Sequence, residues 1–146
     1  MTEVYTIGSN GKSPREFFEK LKAAGIELVI DVRLNNKSQL AGYAKGGNDF
    51  LGYLLDKTVG IRYIHDPFFA PTDEILDGYH KDHNWETYVT KFEKLVIARG
   101  FKAHFNAKYS TYGKVCLLCV ESIPDQCHRR LVAEAVTTSE HIHHIL

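Results

Sequence analysis

The sequence has little of what marks secreted, membrane or fibrous proteins. Its 146 residues include three cysteines, an odd number that does not suit a framework of disulfides. No uninterrupted apolar run approaches the roughly 20 residues that a membrane-spanning helix needs, and there is no low-complexity tail or internal repeat. The N-terminus MTEVYTIGSN lacks the charged and long apolar segments of a secretion signal. We therefore expect a cytoplasmic protein that does not enter a membrane.

Neither sign of charge predominates. The 18 Lys and Arg residues balance the 18 Asp and Glu residues, so the overall charge favours neither nucleic acid nor a membrane surface as a partner. Hydrophobic residues make up 44% of the chain, which is enough for a single core, and the length is that of one domain. We expect residues 1–146 to form one domain in which any basic surface is local.

The chain alternates between strand and helix patterns. Residues 4–7 predict a strand, Ser13 and Gly25 bound a helix, and residues 28–32 form the nearly continuous apolar run of a strand buried on both faces. The pattern continues with helices at 49–57, at 84–100 and after Asp125, and with strands at 61–65, 115–120 and 142–146. This order predicts an α/β fold, a single three-layer domain with a mostly parallel, Rossmann-like sheet of about five strands.

Three segments do not follow this pattern. Residues 34–48 are polar and glycine-rich, and they are longer than a plain connection, so they form a candidate functional loop. The segment through Pro67 and Pro71 is predicted as a loop. Residues 101–113 do not distinguish a helix from a strand.

Polar side chains follow the predicted strands at the points where they end. Parallel sheets bind ligands outside the carboxyl ends of their strands, so we expect these residues to lie near one another. A structural ion pair between Asp31 and Arg33 would account for those two residues without any function. The candidate site residues are Ser9, Asp31, Arg33, His65 and Glu121, together with Cys127, His128 and Arg129 at the start of the last helix.

The start of the last helix carries a candidate reactive thiol. With Asp125 as the N-cap, Cys127 and His128 fall in the first turn, where the free amides and the helix dipole favour an anion and lower the pKa of a thiol. A small buried packing residue is the alternative interpretation of Cys127. A cysteine phosphatase would need an arginine six positions after Cys127, where this chain has Ala133.

The sequence predicts no metal site and no cofactor. Cys116 and Cys119 have the spacing of zinc ligands, but residues three apart in a strand point to opposite faces of the sheet. The histidines of the tail 141–144 fit a solvated edge strand. There is no phosphate-binding loop and no dinucleotide fingerprint.

Nucleic acid stays open as a partner. A scattered set of basic and aromatic residues resembles surfaces that stack single-stranded bases, although the set is not clustered in sequence. The set comprises Tyr43, Lys45, Arg62, Lys102, Lys108, Tyr109 and Tyr112.

Several motifs, in this order, resemble the domain-of-unknown-function family 488 (DUF488). They are Tyr5-Thr-Ile-Gly-Ser9, Asp31-Val-Arg33, Gly60-Ile-Arg-Tyr-Ile-His65 and Leu117-Leu-Cys-Val-Glu121 followed by Cys127-His-Arg129. The resemblance covers essentially the whole chain and implies an α/β fold in which these motifs cluster, with no settled reaction or substrate. The chain departs from many members at Ser9, where they have histidine, and in residues 34–40. Substrate choice is therefore expected to differ from that of other members.

The leading hypothesis is an enzyme that acts on an anionic, nucleotide-like or nucleic-acid-derived substrate. Arg33 and Arg129 would hold the anion, with the helix amides beside Cys127 assisting, and Ser9 would be a further ligand-binding residue. Asp31 or Glu121 would be the general base, and His65 or His128 the proton donor. Cys127 would be the nucleophile or a buried support of the helix turn.

Two alternatives use the same residues. A non-catalytic module could bind a phosphate or a partner's carboxylate through the arginines. A buried ion network of Asp31, Arg33, Glu121 and Arg129 could instead only hold the strand ends together.

Overall fold

The structure is a computed structural model that describes residues 1–35, 42–45, 50–120 and 125–146. Its centre is a five-stranded sheet in which every pairing is parallel. The strands are β1 (Glu3–Gly8), β2 (Leu28–Asp31), β3 (Arg62–His65), β4 (Lys114–Cys119) and β5 (Ile142–Ile145), in the order β3-β2-β4-β1-β5. The five-stranded parallel sheet confirms the predicted α/β fold.

Six α-helices lie in the described segments of the chain and connect the strands. They are α1 (Pro14–Ala24), α2 (Leu51–Val59), α3 (Asp73–Asp82), α4 (Trp85–Arg99), α5 (Phe101–Tyr109) and α6 (His128–Val136). The bounds of α1 follow from its sequence, because the Ser13 side chain accepts a hydrogen bond from the Glu16 amide and Gly25 ends the helix at φ +74°. None of the helices in the described segments is long and apolar enough to cross a membrane.

Two hydrophobic cores lie on the two faces of the sheet. One contains Val29 and Cys116 of the sheet with Phe17 of α1 and Leu55 of α2. The other is built from the alternate strand residues with the apolar faces of α3–α6, including Leu117 beside Phe92, Phe101 and Val132. The sheet is therefore the middle of three layers, as the sequence predicts.

The strand order places the site. Because β4 lies between β2 and β1, the carboxyl ends of β2 and β4 are adjacent. This order differs from the 3-2-1-4-5-6 order of dinucleotide-binding sheets. The residues after β2 therefore lie beside the end of β4 and the start of α6.

Two local predictions need correction, and one segment left undecided by the sequence is resolved. The segment after Pro71 forms helix α3, whose N-cap is Thr72 with its side chain accepting a bond from the Ile75 amide. Residues 101–109 are helical. Helix α6 has its N-cap at Cys127 rather than at Asp125, so Cys127 precedes the first turn. Of the candidate loop, residues 36–41 and 46–49 lie outside the described residues.

Candidate functional site

A cavity of about 400 Å³ opens at the carboxyl ends of β2 and β4. This volume lies within the range of small-molecule sites, about 300–1,000 Å³. We call this cavity the pocket. Its lining comes from the segment after β2, from α3 and α4, and from both sides of the β4–α6 connection, and comprises Arg33, Leu34, Asn35, Pro71, Leu76, Tyr79, His80, Trp85, Tyr88, Cys119, Val120, Gln126, Cys127 and His128.

Three aromatic residues, Tyr79, Trp85 and Tyr88, form one side of the pocket, which we call the aromatic wall. The Trp85 and Tyr88 rings are stacked with centroids 4.8 Å apart, and the edge of Tyr79 meets both rings. Tyr79 lies on α3 and the other two on α4, so the contact between these helices builds the wall. Helical periodicity identifies Trp85 and Tyr88 as apolar positions of a helix, but not as parts of a site, and Tyr79 lies in the segment predicted as a loop.

Two thiols and an imidazole form the inner end of the pocket. Cys119 is the last residue of β4, Cys127 is the N-cap of α6 and His128 is the first residue of α6. Their Sγ, Sγ and imidazole nitrogen atoms all lie within 4.8 Å of one another, and all three residues are buried. We call them the sulfur–imidazole cluster. Thiolate and imidazole are donors for a soft metal ion, so these residues could hold one.

The His128 ring has a defined orientation and tautomer. Its Nε2 atom lies 2.7 Å from the carbonyl oxygen of Val32, which can only accept a hydrogen bond, so Nε2 carries the proton. The Nδ1 atom lies 3.4 Å from the Cys119 sulfur. In the neutral ring, the Nδ1 lone pair therefore points into the sulfur–imidazole cluster.

The two thiols have opposite pKa shifts. A hydrogen bond from the Cys127 thiol lowers the pKa of Cys119 against the effect of burial, with help from the Val120 amide and the Arg129 charge. The same hydrogen bond and burial raise the pKa of Cys127 well above its ordinary value. The predicted low pKa of Cys127 is therefore wrong, because the helix-end effect is outweighed by a thiol partner from β4.

Asp31 and Arg33 form a buried ion pair. The Nε and Nη2 atoms of Arg33 each lie 2.7 Å from an Asp31 oxygen, and the Tyr63 hydroxyl donates to the second oxygen at 2.6 Å. Burial lowers the pKa of Arg33, but the hydrogen bonds and charge of Asp31 outweigh it and raise the pKa above its ordinary value. Because both Asp31 oxygens are engaged, this geometry opposes the general-base role predicted for Asp31 and fits the structural ion pair.

The other predicted site residues lie around the pocket. Ser9 is buried, its amide donates to the Cys119 carbonyl, and its own carbonyl accepts a bond from Tyr43. His65 donates from Nε2 to the Arg33 carbonyl at 2.7 Å. Arg129 is fully buried, with Nη1 3.8 Å from the Cys127 sulfur.

Of the predicted site residues, the structure brings Arg33, Cys127 and His128 to the pocket lining. Within the described part of the chain, Ser9, Asp31, His65 and Arg129 stand behind that lining. Glu121 lies outside the described residues.

Sequence reasoning missed Cys119 as a site residue. It placed Cys116 and Cys119 on opposite faces correctly, since Cys116 packs with Phe17 and Cys119 meets His128. The signal that could have found Cys119 is the same alternation, because it turns Cys119 toward the layer that contains α6.

The basic and aromatic set does not form one surface. Tyr43 packs with α1 on one face of the sheet and donates to the carbonyls of Ser9 and Lys12. Tyr109 is buried on the other face with its hydroxyl on Asp66. The structure thus offers no single platform for stacking bases through this set.

Comparisons with known proteins give one family. No curated protein matches the chain, and no solved structure does. The family model described as domain of unknown function DUF488 matches residues 13–136, which include β2, β3, β4, the aromatic wall and the whole sulfur–imidazole cluster. The chain therefore belongs to the DUF488 family.

Proposed function

We propose that the protein is an enzyme that acts on a small anionic, nucleotide-like molecule bound in the pocket. One observation carries this proposal: a single cavity is lined by an aromatic wall, by Arg33 and by the sulfur–imidazole cluster. The aromatic wall can stack a planar ring, and Arg33 can pair with an anion. The sulfur–imidazole cluster can act chemically on the bound molecule.

The aromatic wall supplies the surface for a ring. Trp85 is partly exposed and already stacked on Tyr88, so a planar ligand would meet a broad aromatic face. Stacking of a base on an aromatic side chain contributes about 1–3 kcal/mol. This contribution suits a nucleobase or a similar heterocycle.

Arg33 supplies the cation. Its bonds to Asp31 use Nε and Nη2, so Nη1 is not committed to that carboxylate. Asp31 and Tyr63 hold the guanidinium in one orientation, and His65 holds the Arg33 carbonyl. We assign these three residues positioning roles, whereas Arg33 would contact the anion through a charge-assisted bond.

The sulfur–imidazole cluster supplies the chemistry. Cys119 and His128 line the pocket and touch each other, which places a soft nucleophile beside a group that can accept or donate a proton. Ser9 and Arg129 support the backbone and the sulfur from behind the lining. A general-base role for Glu121 stays a prediction.

A non-catalytic binding module is the second candidate. It is favoured by the low exposure of the cluster, because Cys119 is 7% and Cys127 3% exposed. Such a module would bind an anionic ligand with the same wall and the same arginine, and would leave it unchanged.

The first experiment is a thermal-shift screen with nucleotides, short single-stranded and duplex oligonucleotides, and sugar phosphates. A ligand at 100 times its Kd adds about 2.7 kcal/mol of stability, which a domain of this size shows as several degrees. Trp85→Leu should abolish most of the shift. Tyr53→Leu is the matched control, because Tyr53 is an exposed aromatic residue on α2, in the other layer.

Turnover of the ligand that gives the shift separates the two candidates. The enzyme predicts a product that forms with the wild type and not with Cys119→Ala. The binding module predicts that the ligand is recovered intact. A screen in which no compound shifts the wild type, or in which Trp85→Leu shifts as much as Tyr53→Leu, would contradict the pocket assignment itself.

A further inference from the structure

Two cysteines and a histidine at one end of a pocket form a donor set that the sequence does not single out. The donor atoms of Cys119, Cys127 and His128 lie within 4.8 Å of one another, and the Cys119 sulfur is 3.4 Å from His128 Nδ1. Zinc bonds of about 2.3 Å to sulfur and about 2.05 Å to nitrogen at tetrahedral angles place sulfur and nitrogen about 3.6 Å apart and two sulfurs about 3.8 Å apart. The observed spacing therefore needs little change to surround one metal ion.

The imidazole is already in the state that a metal needs. Histidine ligands usually donate their second N–H to a carboxylate or a backbone carbonyl, which fixes the ring and its tautomer. The bond of 2.7 Å from His128 Nε2 to the Val32 carbonyl has this form, and it directs Nδ1 toward the sulfurs. This contact is independent of the cysteines and links the cluster to the segment after β2.

The local charge also suits metal-bound thiolates. Two thiolates neutralise a divalent ion, and buried charge is tolerated when it is paired or coordinates a metal. Arg129 lies behind the site with Nη1 3.8 Å from the Cys127 sulfur, where its charge favours the thiolate ligand. Cys119 ends a central strand and Cys127 and His128 begin a helix, so all three ligands stand on regular elements.

We propose that Cys119, Cys127 and His128 bind one thiophilic divalent metal ion, of which Zn²⁺ is the chosen probe, with the remaining coordination position directed to the pocket. Three protein ligands with an open fourth position are typical of catalytic zinc sites, which polarise a bound substrate or activate a water. Metal binding stands on the cluster alone. The use of the metal on a substrate rests on the proposed function, with Cys119 and Cys127 then serving as metal ligands and not as a free nucleophile.

The test is a titration of the reduced, metal-free full chain with Zn²⁺ and with Co²⁺. The wild type should bind one equivalent of Zn²⁺ by native mass spectrometry, and Co²⁺ should give the thiolate charge-transfer and tetrahedral absorption bands. Cys119→Ala and Cys127→Ala should each lose affinity by more than the roughly 10–100-fold that removal of an outer-shell partner costs. His128→Gln tests the third ligand and keeps a donor for the Val32 carbonyl.

Cys116→Ala is the matched control. Cys116 is a fully buried thiol of the same strand on the other face of the sheet, and its removal should leave Zn²⁺ affinity unchanged. A circular dichroism spectrum of each metal-free variant confirms that it folds. The proposal is overturned if the wild type takes up no stoichiometric Zn²⁺, if the cluster variants keep wild-type affinity, or if Cys116→Ala weakens binding as much as they do.

Failure of this inference is distinguishable from failure of the proposed function. The ligand screen is run with and without a chelator. One outcome is a thermal shift that persists with the chelator and vanishes in Trp85→Leu, while the wild type binds no Zn²⁺. This outcome contradicts the metal site and supports the pocket. If the wild type binds stoichiometric Zn²⁺ but no ligand gives a thermal shift, the metal site is supported and the pocket assignment is contradicted.

Discussion

His128 Nε2 lies 2.7 Å from the carbonyl oxygen of Val32, so the first residue of α6 is bonded to the segment that follows β2. The two residues are 96 positions apart in sequence. This bond lies at the inner end of the pocket and joins the segment that carries Arg33 to the helix start that carries Cys127 and His128. Its geometry leads to the first prediction.

His128→Ala should destabilise the protein by about 1–3 kcal/mol, because a buried backbone carbonyl loses its donor. His128→Gln should retain most of that stability, since its amide nitrogen can reach the position of Nε2, while it lacks the Nδ1 atom. Urea unfolding measures both variants. Equal losses for Ala and Gln would show that the bond to Val32 is not what holds the ring.

The Asp31–Arg33 pair should matter more to stability than any surface pair. Asp31→Ala leaves the Arg33 guanidinium buried without its carboxylate, and we expect a loss of about 3–5 kcal/mol. Tyr63→Phe removes one bond to a charged group and should cost about 1.5–3 kcal/mol. Urea unfolding with Glu19→Ala as a control checks both, because Glu19 pairs with Arg15 on an exposed face of α1 and should contribute less than about 1 kcal/mol.

Acid should destabilise the protein in part through Asp66. Burial acts to raise the pKa of Asp66, but hydrogen bonds from Tyr109 and His104 outweigh it and hold the pKa below its ordinary value. A lowered pKa in the folded state contributes stability above the unfolded-state value of about 3.9, and this contribution disappears as the pH falls through the folded-state pKa. Tyr109→Phe should therefore make stability less dependent on pH below about 5.

Unfolding free energies between pH 7 and pH 3 provide the measurement. The wild type should lose more stability over this range than Asp66→Asn or Tyr109→Phe. Asp56→Asn serves as the control, because Asp56 is an exposed aspartate on α2. Parallel curves for all four proteins would contradict the role of Asp66.

Trp85 should report ligand binding directly. It is the one tryptophan in the chain and lines the pocket, so the intrinsic tryptophan fluorescence comes from the aromatic wall. A nucleoside monophosphate should change this fluorescence at a concentration at least about 10-fold lower than its nucleoside, because a hydrogen bond to a charged group contributes about 1.5–3 kcal/mol. The difference should shrink as salt is added. Equal affinities for the nucleoside monophosphate and its nucleoside would contradict the anion-binding role of Arg33.

Much of the fold follows from local patterns in the sequence. The sequence predicts the N-cap at Ser13, the helix end at Gly25 and the apolar strands, because these features depend on residues a few positions apart. Helix α3 was missed because Pro67 and Pro71 precede it and it buries little, with Ile75 as its buried residue. At the N-cap of α6, the hydrogen bond with Cys119 and burial raise the pKa of the Cys127 thiol and outweigh the expected effect of the helix end.

The candidate site is predicted less completely. Arg33, Cys127 and His128 reach the pocket because the carboxyl ends of parallel strands meet at one edge, which the strand pattern already implies. Asp31 pairs with Arg33, as the alternative of a structural ion pair predicts, and Arg33 engages both Asp31 oxygens. The sequence does not predict that Cys119 and the aromatic wall belong to the site, because helices distant in sequence must first pack on the sheet.

The sequence by itself determined the α/β class, the alternation of strands and helices, the split of Cys116 and Cys119 between two faces, and the family. These properties depend on hydrophobic period, on capping residues and on motif order, all of which are local or linear. The tertiary structure decided the insertion of β4 between β2 and β1, the contact of Cys119 with Cys127 and His128, and which thiol has the lower pKa. Strand order and pKa shifts arise from burial and hydrogen bonds between residues far apart in the chain, and only the packed fold specifies those contacts.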